Sequence, residues 1–205
     1  MPLDLATLLP LASQCAPAVA PSTLLAIAKA ESAFDPLAIG VNGAGGGALR
    51  PRSAEEAAAV ARRLIANGRS IDLGLGQINS RNLSRLGLTV EAAFDPCRNL
   101  AASATVLSEG FDRATKVAPG EQAALRMALS IYNTGHPERG LRNGYVTRVT
   151  RAAASLVPAL RTHAAANVSP PSASPPAAAP TWDVFARARI RSGGFVLTPS
   201  SGDLR

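Results

Sequence analysis

Cysteine is nearly absent from this sequence, with only Cys15 and Cys97 in 205 residues. Histidine is equally scarce, at His136 and His163. Two cysteines and two distant histidines do not make a zinc site, so a metal centre is excluded and no cofactor is expected. The cysteines read either as a pair of buried free thiols or as one long-range bridge. Long apolar runs are missing too. None approaches the roughly 20 residues that a membrane-spanning helix needs. The stretch Met1 to Gln14 is apolar but short, carries Asp4, and has no basic residue ahead of its apolar part, so no export signal is evident in it.

Aromatic residues number eight, and five of them precede residue 166. That leaves little for a base-stacking platform. Lysine is rare as well: 19 of the 21 basic residues are Arg, and the net charge is +7. These arginines are scattered, form no dense run and accompany no nucleic-acid motif, so nucleic acid is not an expected partner. A solvated Arg-rich surface accounts for the charge, with attraction to an anionic envelope as a further consequence.

What remains is 47% hydrophobic, enough for one domain with a real core. The pattern is mostly helical. Leu3 to Gln14 predicts a first helix, ended by Pro17 and Pro21. Pro21 to Ala33 predicts a second, with Ser22 as its cap. Residues 36–52 hold Pro36, Pro51 and a run of glycines, and read as loop with a short extended piece at Ala38 to Asn42. Ser53 and Glu56 form a capping box that opens a helix to Asn67, with Gly68 past its end. Asn79 is placed to cap a short helix to Leu86, and Thr89 starts another brief turn. Asp95-Pro96 puts a cap and a first-position proline before a helix reaching about Lys116. Further helices are expected over Glu121 to Asn133 and Gly144 to Leu156. One domain is therefore expected over residues 1–165. Residues 166–180 form a Pro/Ala/Ser-rich linker. Residues 181–205 carry Trp182 and Phe185 and read either as a disordered tail or as a docking segment.

Three short motifs carry chemistry. Glu31 follows Leu24, Ile27 and Ala28 at helical spacing, so it lies on the apolar stripe of its helix. Desolvation there raises a carboxyl pKa, and a neutral carboxylic acid is a proton donor. The plainer alternative is a glutamate that reaches solvent from a helix end. Gly74-Leu75-Gly76-Gln77-Ile78-Asn79 reads as a tight turn that lets backbone approach a ligand, with the Gln77 amide either binding sugar hydroxyl and acetamido groups or stabilising the loop. Tyr132-Asn133-Thr134-Gly135 ends an apolar helix and offers a phenol that reads either as an active-site hydroxyl or as a core tyrosine with a satisfied hydroxyl. Of the other acids, Asp35 and Asp95 precede proline and read as turn or cap residues. Asp72 is the one contender for a second catalytic carboxylate, and reads more simply as a loop group that fixes backbone.

Glu31-Ser32, the Gly74 to Asn79 stretch and Tyr132 to Gly135 together resemble the lytic transglycosylases, lysozyme-like enzymes that cut peptidoglycan glycan strands. Cys15-Ala16-Pro17, Asp35 to Gly43 and Phe94 to Leu100 resemble the branch that accompanies type IV secretion systems. The likeness spans about residues 10 to 160. It implies a mainly α, lysozyme-like domain. It implies Glu31 as the catalytic acid and base, and Ser32, Gly76, Gln77, Asn79, Tyr132 and Asn133 as substrate-binding residues, with the Tyr132 hydroxyl orienting Glu31. It also implies a Cys15–Cys97 disulfide, a periplasmic location, glycan strands as substrate, and secretion components as partners reached through the tail.

Overall fold

The computed structural model describes residues 1–166, and within them the chain is mostly helical. The expected linker, but for its first residue, Ala166, and the tail segment fall outside the described residues. Helix α1 spans Leu5–Cys15 and α2 spans Pro21–Ser32. Two short strands follow, β1 at Ile39–Val41 and β2 at Gly47–Leu49, then α3 at Ala54–Ala66. Strands β3 (Ile71–Leu73) and β4 (Ile78–Asn79) flank the Gly-Gln turn. Single 3-10 turns at Ser80–Asn82 and Ala92–Phe94 lead into α4, Pro96–Thr115. The domain closes with α5 (Glu121–Thr134), α6 (Arg139–Arg142) and α7 (Tyr145–Ala166).

The helix starts follow local chemistry. Asp95 accepts a hydrogen bond from the Arg98 amide at 2.8 Å, with Pro96 in the first helical position. Ser53 accepts from the Glu56 amide, while Glu56 reaches back one residue further than a strict capping box, to the Arg52 amide. Asp4 caps α1 through the Thr7 amide, so that helix begins later than Leu3. Ser22 does not cap α2. Pro21 already occupies the first helical position, which makes Ala20 the cap and puts Ser22 inside the first turn. Helix α7 continues past Leu156 and through Pro158. Proline removes the amide that would bond the Ala154 carbonyl, but Ala154 is exposed, so water can satisfy that group.

The four strands form one antiparallel sheet in the order β2-β1-β3-β4. Its strands are two or three residues long, too short for a period-2 pattern, and only the extended piece near Ile39 was expected. Two apolar clusters hold the domain. One joins α1, α2, α4, α5 and α7 around Leu8, Leu25, Ile27, Leu100, Leu129 and Val146. The other packs the sheet against α3 through Ile39, Ala57, Ile71 and Leu73. A Cys15–Cys97 disulfide ties the end of α1 to the first turn of α4, with the Cα atoms 5.3 Å apart.

Candidate active site

A cleft of about 920 Å³ opens between the sheet and the helical cluster. Glu31, Asp72, Gln77, Asn79, Tyr132 and Asn133 all line it. Three segments far apart in the sequence therefore meet on one cavity.

Glu31 reaches the cleft because it sits one turn beyond Ile27 and Ala28, both buried in the core. Helix α2 ends one residue later, with Ala33 at φ 54° in the left-handed region. The Glu31 carboxyl is pushed up to about 7, chiefly because burial removes its hydration. The Tyr145 hydroxyl opposes this and the negative charge of Asp72 adds to it. Arg148, at 5.6 Å from the Tyr145 ring centre, also favours the ionised form. Tyr145 is 1% exposed, and apart from the Glu31 carboxyl its hydroxyl has no polar partner among the described residues. It is a buried polar group whose one partner is that carboxyl.

The Gly-Gln turn is built from the backbone. Gly74 adopts φ 72°, and a Cβ there would fall 2.4 Å from the Asn99 amide nitrogen. Gly76 is tighter: a Cβ would meet the Ser103 hydroxyl at 2.0 Å and the Tyr132 hydroxyl at 2.7 Å. Asn99 is 0% exposed and acts as the hub. Its Oδ1 accepts from the Gly76 amide at 2.8 Å, and its Nδ2 donates to the Leu73 and Ala93 carbonyls. Gln77 is held at φ 49°, an unusual state for a residue with a side chain. Its Nε2 donates to the Ala38 and Gly74 carbonyls at 3.1 and 2.8 Å.

Four expectations change in detail. The Tyr132 hydroxyl does not orient Glu31 directly. It donates to the Gly76 carbonyl at 2.6 Å, so it braces the turn, and the tyrosine against Glu31 is Tyr145. Ser32 is 2% exposed, and its hydroxyl donates to the Ala28 and Leu75 carbonyls. It joins α2 to the Gly-Gln turn and does not line the cleft. Gly76 likewise is absent from the cleft lining: its amide donates to Asn99 and its carbonyl accepts from Tyr132. Asp72 is no loop residue. It sits in β3 and accepts from Asn42 Nδ2 at 2.9 Å and Asn79 Nδ2 at 2.7 Å. Burial raises its pKa. Asn79 also donates to Ser70, and Asn133 accepts from Asn143 at 3.0 Å while facing solvent. Asn99 and Tyr145 were missed. A buried-face Asn one turn inside a helix was the available signal for the first. The second follows a Gly and carries no local pattern.

A carboxylic acid near neutrality and a polar amide wall suit a glycan. The sequence profile of the Transglycosylase SLT domain matches residues 9–148. The chain belongs to this family. It is a peptidoglycan lytic transglycosylase. Protein virB1 of Rhizobium radiobacter is 44% identical over 193 residues, covering 93% of this chain and 77% of the relative. Protein virB1 of Agrobacterium fabrum (strain C58 / ATCC 33970) is 42% identical over 191 residues, covering 93% and 75%. Type IV secretion system protein virB1 of Brucella abortus (strain 2308) is 43% identical over 150 residues, covering 70% and 62%. No solved structure matches the chain significantly. In this family member the helical frame supplies Glu31, and the sheet supplies the opposing polar wall.

Proposed function

We propose that the chain cleaves the bond between N-acetylmuramic acid and N-acetylglucosamine with release of a 1,6-anhydro end, in the periplasm, to open the wall for a type IV secretion apparatus. The observation that carries the chemistry is the Glu31 carboxyl, which holds its proton near neutrality inside the cleft. Glu31 gives that proton to the glycosidic oxygen as the C1–O bond breaks. The resulting carboxylate then takes the proton of the sugar's own 6-hydroxyl, and that oxygen closes on C1. Attack within one sugar replaces a bound water, so positioning does the work of a second catalytic group. Asp72 supports this reading, because both its oxygens accept from Asn side chains and are poorly placed as a free nucleophile. Gln77, Asn79 and Asn133 face the sugars from the cleft wall. Ser32, Gly76 and Tyr132 keep the turn in place, Tyr132 from the cleft wall itself.

The secretion role rests on the virB1 relatives. We assign recruitment to residues 181–205, through Trp182 and Phe185. Mass spectrometry of muropeptides released from purified sacculi tests the chemistry. Anhydro-muramyl ends support it, and free reducing ends overturn it.

A further inference from the structure

The cleft wall changes character along its length. Near Glu31 it is made of amides and a hydroxyl, from Asn42, Ser70, Gln77 and Asn79, with the one charge, Asp72, already held by two of those amides. Elsewhere it is charged, with Arg85, Glu109, Asp112 and Arg113. N-acetylated sugars carry no ionised group, so the glycan itself gives this charged wall nothing to pair with. The charges in peptidoglycan lie on the peptide attached to the muramyl lactyl group: α-carboxylates and, on a diamino acid, an ammonium.

We propose that Asp112 and Arg113, framed by the Arg85–Glu109 ion pair, form a subsite for the stem peptide. The inference rests on reading the cleft as the glycan site. The Arg85–Glu109 pair uses one guanidinium nitrogen for both carboxylate oxygens, at 2.6 and 2.7 Å, and locks the segment before α4 onto that helix. Arg113 directs its Nε to the Glu109 carbonyl at 3.2 Å, which fixes the side chain and leaves both terminal nitrogens open. The Asp112 carboxylate has no hydrogen-bond or ion-pair partner among the described residues. Adjacent on α4, these two exposed residues offer a donor fork for a carboxylate and an acceptor for an ammonium. Both residues line the cleft, so a peptide running along α4 meets the cation and the anion with separate groups.

The test compares kcat/KM on uncrosslinked, peptide-bearing glycan strands with the same strands stripped by an amidase. Wild-type enzyme should prefer the peptide-bearing strands. Arg113→Gln and Asp112→Asn should each cut the ratio of the two rates about tenfold, the scale of one charge-assisted contact. Arg113→Lys should recover part of the preference. An unchanged ratio in both variants means a merely solvated charged face and overturns the proposal. So does a preference for stripped strands that Arg113→Gln abolishes, because stripping bares the lactyl carboxylate and makes that group the ligand. If wild-type enzyme cleaves neither substrate, the glycan reading itself fails, a separate result.

Discussion

Replacing Glu31 by Gln should inactivate the enzyme and stabilise it, and the stabilisation should depend on pH. Burial moves the Glu31 carboxyl from an ordinary 4.5 to about 7. A raised acid pKa means that folding disfavours the ionised form. Below pH 4.5 the group is protonated in both the folded and unfolded chains, and it contributes nothing. Between 4.5 and 7 the unfolded chain releases its proton first, and the penalty grows. Above 7 the penalty is complete, about 3 kcal/mol by linkage. Glu31 keeps some solvent contact through the cleft, so on the order of 2 kcal/mol is the firmer expectation. Glutamine keeps the shape and removes the titration. For a domain of this size that corresponds to roughly 4–8 °C in Tm. Thermal melts of both proteins at pH 8.5 and pH 4 measure it. The variant should melt higher at pH 8.5 and equally at pH 4. Equal displacement at both pH values, or a lower Tm at pH 8.5, would refute the placement of this carboxyl. Turnover of sacculi by the variant should fall at least about a hundredfold, the low end for a lost general acid–base group.

The wild-type kcat/KM should decline as pH rises through about 7, when Glu31 loses the proton it must donate. Tyr145→Phe removes an interaction that lowers the Glu31 pKa, so that decline should move to higher pH; a profile that stays put or moves down counts against the Tyr145–Glu31 contact. Gly76→Ala should cost about 1–3 kcal/mol and most activity, since its Cβ would lie 2.0 Å from the Ser103 hydroxyl, and urea unfolding with an activity assay checks both. Cys15→Ser with Cys97→Ser should lower stability by about 4.5 kcal/mol in the chain-entropy treatment of a bridge with a separation of 82 residues, read as a lower urea midpoint; no change on reduction of the wild type would contradict it. A chain ending at Ala166 should digest sacculi at close to the full rate, while Trp182→Ala with Phe185→Ala should weaken pull-down of envelope secretion components; lost activity on truncation would show the tail to be part of the enzyme.

Much of this protein was legible from local sequence, and the reason is local physics. Asp95 with Pro96, and Ser53 before α3, announce helix starts because a cap acts within three residues. Glu31 stood out because a carboxylate on an apolar stripe is already a statement about burial. The glycines of the turn signalled close approach before any neighbour was known. The rest needed the tertiary fold. Strands of two or three residues carry no period, so the sheet emerges only when β1 finds β3 across some thirty residues. Asp72 looked like a loop group until Asn42 and Asn79 closed on it. The division of labour between two tyrosines could not be read from either one: Tyr132 ends up on the Gly76 carbonyl and Tyr145 against Glu31. A hydroxyl's partner and a carboxyl's pKa depend on what the whole chain packs around them, and only the assembled cleft decides that.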